Sequence, residues 1–136
     1  MKGTNMTLTE FLLARIAEDE IVARAVTPGP WRIEKTSSHM DKETWAVADV
    51  ERFREYTNHV GVGEDKPLAI YIARWDPARV LAECEAKRAI MKLHSAEPGQ
   101  HPDFCGHDLR ELPCPTLRLL ALPYSDRADY LPEWKT

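Results

Sequence analysis

The 136-residue sequence has no stretch approaching the roughly 18 consecutive apolar residues that a membrane span needs, and its longest candidate, around Leu117 to Leu122, is far too short. A secretory signal is missing as well. After Lys2 the chain is studded with Glu10, Arg15, Glu18, Asp19 and Glu20, where a signal would need an uninterrupted apolar region. A soluble, cytoplasmic protein without membrane contact is therefore expected. No broad basic field exists, because the net charge of −4 comes from mixed signs spread along the chain, so affinity for a nucleic-acid backbone is not expected. Cysteines are few: Cys84, Cys105 and Cys114, an odd number that argues against a disulfide framework and for buried thiols or metal ligands. There is also no glycine-rich phosphate loop and no helix carrying two histidines four apart around a glutamate. His39 and His59 have no matching nucleophile, so no catalytic set emerges and a non-enzymatic protein is expected.

A hydrophobic content of 43% suffices for one continuous core, and a single domain over residues 1–136 is expected, with 1–6 as a tail or tag. Thr7 with Glu10 is a reciprocal capping pair, and Leu8, Phe11, Leu12, Ile16, Ala23 and Val26 recur at helical spacing, which predicts an amphipathic helix over about 8–26. Thr27, Pro28, Gly29 and Pro30 end it. Three β-prone runs follow, Trp31 to Glu34, Trp45 to Val50 and Tyr56 to Val62, and predict a three-stranded antiparallel sheet. From Pro67 the pattern turns helical until Trp75. Asp76 as N-cap with Pro77 in the first helical position then starts a second long helix to about His94, with Val80, Leu81, Cys84, Ile90 and Met91 inside and Glu83 paired to Lys87 outside. A polar loop, a short leucine-rich helix over Pro115 to Leu122, and a tail whose Tyr124, Tyr130 and Trp134 fold back onto the body complete the chain. The fold class is thus expected to be α+β, with two long helices and a C-terminal helix packed with one small three-stranded sheet and a zinc-stabilised loop.

The strongest chemical signal lies in that loop. His94, His101, Cys105, His107 and Cys114 fall within 21 residues of a chain that holds only five histidines and three cysteines. Zinc takes four such donors in a tetrahedron, and a loop between two helices can wrap them around one ion. The favoured structural zinc set is His94, Cys105, His107 and Cys114, with His101 in reserve. Cys105 and His107 have one residue between them where two to four are usual, so the same residues also fit a buried thiol beside ordinary loop histidines, or a redox-labile Cys105–Cys114 bridge. A catalytic zinc would need an open position and a base; Asp103, Asp108 and Glu111 are at hand, but nothing singles one out. Cys84, on the inner side of a helix, reads as a core thiol.

Three separated motifs carry a family resemblance: TPGPW at Thr27 to Trp31, IARWDPARVLAECEAKR at Ile72 to Arg88, and CPTLRLLALPYSDRADYL at Cys114 to Leu131. Together they resemble an uncharacterised group from actinobacteria and their phages, domain of unknown function 6221. That resemblance implies a histidine at the end of the long helix and cysteines ahead of the CPTLRLLALPY stretch, here His94, Cys105 and Cys114; its second cysteine close after the first is absent, and His107 stands in for it. TPGPW and the later helix start are also similar to early lambdoid phage proteins of the Ead type. Both likenesses imply phage or prophage biology without an activity. The function expected is a binding module for a host protein, with Trp45, Tyr56, Trp75 and Trp134 as candidate interface aromatics and a homodimer through the first helix as a further option. Its rivals are a zinc-dependent hydrolase or nuclease, and a nucleic-acid regulator using Arg74, Arg79, Lys87 and Arg88, against which the interleaved Glu83 and Glu85 count.

Overall fold

A computed structural model describes residues 6–36, 43–49, 59–96, 99 and 101–136. The expected tail at 1–6 and the aromatic Tyr56 fall largely outside these residues. The chain forms two compact units, one of Met1–Glu18 with Cys84–Thr136 and one of Asp19–Glu83. The division falls inside both long helices, α1 (Leu8–Arg24) and α3 (Pro77–Leu93).

In the first unit, α1 opens as its residues dictate. The Thr7 N–H donates to Glu10 Oε2 at 2.8 Å and the Glu10 N–H to Thr7 Oγ1 at 3.2 Å, so two donors that no helical carbonyl can reach are satisfied reciprocally. Leu8, Phe11, Leu12 and Ile16 are buried, as the spacing predicts. Phe11 meets the C-terminal tail: its ring lies 5.1 Å from Trp134, 5.9 Å from Tyr130 and 6.4 Å from Tyr124. The tail is built from α4 (Pro115–Ala121) and 3-10 turns at Leu122–Tyr124 and Pro132–Trp134. Arg118 holds its ends together, Nε donating to the Pro113 carbonyl at 3.0 Å and Nη1 to that of Glu133 at 2.9 Å.

In the second unit, β1 (Trp31–Thr36), β2 (Thr44–Asp49) and β3 (His59–Glu64) pair antiparallel in that order, with Trp31 opposite Asp49 and Thr36 opposite Thr44. The pairing of β2 with β3 is irregular. Ala46, Val47, Ala48 and Asp49 are buried in succession; since alternate residues point to opposite faces, both faces of β2 are covered. Helix α2 (Lys66–Arg74) lies against all three strands.

The expected architecture of three helices and one sheet is corrected. The described residues hold four α-helices, and a second, separate sheet of two-residue strands, β4 (Phe104–Cys105) and β5 (Arg110–Glu111), accompanies the first. The helical run after Pro67 is a helix of its own, closed where the Trp75 N–H bonds the Tyr71 and Ile72 carbonyls and Asp76 starts α3. Two surface expectations also change: Glu83 pairs with Arg79 at 2.9 Å, and Lys87 donates instead to the Tyr124 hydroxyl at 2.9 Å.

Two motifs meet at Asp76. This buried carboxylate caps α3 by accepting the Arg79 N–H at 2.8 Å, and its other oxygen accepts the Trp31 N–H at 2.9 Å. A Cβ on Gly29 would stand 2.9 Å from Asp76 Cγ and Oδ2 and 3.0 Å from the Ala78 Cβ. The glycine of TPGPW is therefore what lets that segment close on the DPA helix start. Gly29→Ala is expected to cost about 1–3 kcal/mol by overpacking, and Asp76→Ala about 2–4 kcal/mol by removing a cap and leaving a second N–H unpaired. Urea unfolding of both variants checks this.

Candidate metal centre

Three elements bring the loop donors together. His94 follows the last residue of α3 and stays in its final turn, where its N–H donates to the Ile90 carbonyl at 3.1 Å. Cys105 ends β4, Asp108 sits in the turn to β5, and Cys114 is the N-cap of α4. The turn is closed by the Asp108 N–H donating to Cys105 Sγ at 3.3 Å and by Leu109, whose φ of 54° places a leucine in the left-handed region. Asp108 is fixed from the other side: Thr116 donates its hydroxyl at 2.9 Å and its N–H at 3.4 Å to Oδ2.

His94, Cys105, Asp108 and Cys114 offer ligand atoms that all lie within 4.8 Å of one another. His94 Nδ1 is 3.5 Å from Cys105 Sγ, 3.6 Å from Cys114 Sγ and 3.5 Å from Asp108 Oδ1. One ring nitrogen can accept or donate a single proton, so these three contacts at Nδ1 are not all hydrogen bonds. A tetrahedral ion with Zn–S and Zn–N bonds of about 2.3 and 2.0 Å would set sulfur and nitrogen about 3.6 Å apart. The donor set fits. Cys105 and Cys114 are fully buried and His94 nearly so, whereas the Asp108 side chain keeps 21% of its surface open.

Of the four residues expected from the sequence, His94, Cys105 and Cys114 converge and His107 does not join them. It is 59% exposed, its ring centroid 4.5 Å from that of His94 and its Nδ1 3.7 Å from Asp108 Oδ1. His101 is exposed, its Nδ1 accepting the Asp103 N–H at 3.3 Å. Asp108, considered from the sequence only as a base, is the fourth member of the cluster. The signal was present: Cys105 and Asp108 have two residues between them, a usual ligand spacing once carboxylates are counted. Asp103 and Glu111 are exposed and stay outside the group.

Without metal the Cys114 thiol holds its proton. Burial, foremost, pushes the Cys114 thiol up to about 11, and a hydrogen bond from Cys114, followed by those from Thr116, holds the Asp108 carboxyl down to about 2. The signs are opposite. A depressed carboxyl stabilises the fold above its ordinary range and ceases to as pH falls toward 2, whereas a raised thiol stabilises it fully below about 9 and ceases to as pH rises through 11. In chelator-treated protein the two contributions are expected at full strength only between about pH 4 and 9, and denaturant midpoints across pH, compared with an Asp108→Asn, Cys114→Ala double variant, measure them.

A cluster of buried sulfur and nitrogen donors with one carboxylate can hold a metal ion. No described helix is long and apolar enough to cross a membrane. No curated protein and no solved structure matches the sequence. A family match covers residues 5–136, taking in all three motifs and every donor of the cluster, and the chain belongs to that family of unknown function (DUF6221).

Proposed function

We propose that the protein is a non-enzymatic, zinc-stabilised module that binds another protein. The observation that supports zinc is the spacing around His94 Nδ1, where two thiol sulfurs and a carboxylate oxygen stand at 3.5–3.6 Å, the edges of a tetrahedron. Soft sulfur donors favour zinc over magnesium or calcium. Four protein donors would close the coordination sphere, the arrangement of a structural rather than a hydrolytic ion. Such an ion would tie the end of α3, the β4–β5 turn and the start of α4 into one unit. Elemental analysis of untagged protein is expected to find about one zinc per chain, and a chelator should lower the unfolding temperature. No metal, with stability unchanged by chelator, would overturn the zinc reading.

The binding role draws support from the second unit. Val22, Ala23, Val26, Trp31, Trp75 and Val80 line a groove of about 280 Å³ in which Asp19 is the one charged residue. Val22, Val26 and Trp75 are exposed there, and Tyr71, 62% exposed, adjoins Trp75 with ring centroids 6.3 Å apart. A contiguous apolar surface of this kind is costly in water and marks binding sites. Quantitative capture from host lysate, compared between wild type and a Val22→Ser, Trp75→Ser variant, is expected to lose specific partners at least about tenfold, the effect of one interface hot spot. Unchanged capture would remove this groove from the proposal.

A further inference from the structure

We infer that Cys105 and Cys114 also make the metal centre a peroxide-responsive switch, in which oxidation joins the two sulfurs and expels the ion; the inference rests on the zinc reading above. Both sulfurs lie in a group of atoms mutually within 4.8 Å, so a shift of less than about 3 Å brings them to disulfide distance. They are held by short elements, a two-residue strand and the N-cap of a seven-residue helix, with eight residues between them in sequence. Such a bridge closes a small loop. The third cysteine is equally buried but stands outside that group of atoms: Cys84 Sγ faces the Ile16 carbonyl at 3.8 Å. Of the four donors Asp108 keeps the most open surface, and it lies beside the exposed His107.

One thiolate attacks hydrogen peroxide; its S–O bond forms as the O–O bond breaks, and the leaving hydroxide takes a proton from solvent to become water. The second thiolate attacks that sulfenic sulfur, the S–S bond forms as the S–O bond breaks, and the expelled hydroxide takes a second proton from solvent to leave as water. The sulfurs give up two electrons and peroxide accepts them. Both sulfur–zinc bonds are lost, and His94 with Asp108 alone cannot retain an ion that needs four donors. Reduction by a thiol restores the site.

Zinc-loaded, full-length protein is treated with hydrogen peroxide in modest excess while zinc release is followed with a chromogenic chelator and cross-linked peptides are identified by mass. The expected result is one zinc released per Cys105–Cys114 disulfide, Cys84 still alkylatable after denaturation, and recapture of zinc after dithiothreitol. A Cys84→Ala variant should behave alike. Retained zinc, or zinc lost to sulfinic and sulfonic acids without the bridge, overturns the switch while leaving structural zinc intact. Absence of zinc before any oxidant is added overturns both.

Discussion

Serine at Cys105 or at Cys114 is expected to abolish stoichiometric zinc binding and to lower thermal stability by about 10 °C or more. Each cysteine supplies a sulfur that a hydroxyl cannot replace as a zinc donor, and each is fully buried, so a serine oxygen there would also need a hydrogen-bond partner. The size of the effect is bounded from two sides. Structural zinc contributes on the order of 10 kcal/mol where a small domain has no other means of folding. Here the same unit keeps its own apolar core, with Phe11, Leu12, Ile16 and Trp134 buried away from the metal donors in sequence, so a loss of about 3–5 kcal/mol is expected rather than complete unfolding. Hydrogen exchange should locate the loss first in β4, β5 and the start of α4, the elements whose few hydrogen bonds depend on the donors. Chelator should reproduce the effect in wild type and add nothing to the serine variants. Serine variants that keep their metal would exclude these sulfurs as ligands.

The parts of the fold written in local chemistry were legible. Thr7 with Glu10 and Asp76 with Pro77 mark helix starts within a few residues, and α1 and α3 begin where those signals stand. The ends were less legible: Val26, placed on the buried side of the first helix, lies beyond Arg24 and is exposed, because the turn before Pro28 has already released it. What required the folded chain to be seen is long-range. Strands of two residues have no periodicity to read, and β4 with β5 depends on a turn held by a sulfur. The choice of Arg79 over Lys87 as the partner of Glu83 follows from Tyr124, 37 residues further on, which accepts from the lysine. The metal cluster was legible by composition but not in its full membership, since attention to histidine and cysteine passed over a carboxylate at the better spacing.

The fourth donor can be decided by three substitutions. Asp108→Ala is expected to weaken zinc binding by about 10- to 100-fold or more, a loss at least as large as that from removing an outer-shell partner. Asp108→Cys is expected to strengthen it, because a third thiolate would occupy a turn position whose backbone is already shaped around a Cys105 sulfur, with the residue 108 N–H donating to Sγ at 3.3 Å. His107→Ala should change affinity little. Its ring is exposed and its Nδ1 approaches the oxygen of Asp108, so it stands beside the cluster and not within it. Competition with a chromogenic chelator measures all three on one scale, and the cobalt-substituted proteins add an independent count, since an added thiolate strengthens the sulfur-to-cobalt charge-transfer band. The opposite ordering, with His107→Ala releasing the ion and Asp108→Ala keeping it, would assign the fourth position to the histidine. It would also require the turn to rotate, because Asp108 now holds the place nearest His94 while Thr116 donates twice to its second oxygen. Loss of the hydroxyl hydrogen bond separates the cases: Thr116→Val, which keeps its backbone N–H on Asp108, should weaken zinc binding only if Asp108 is the residue it positions.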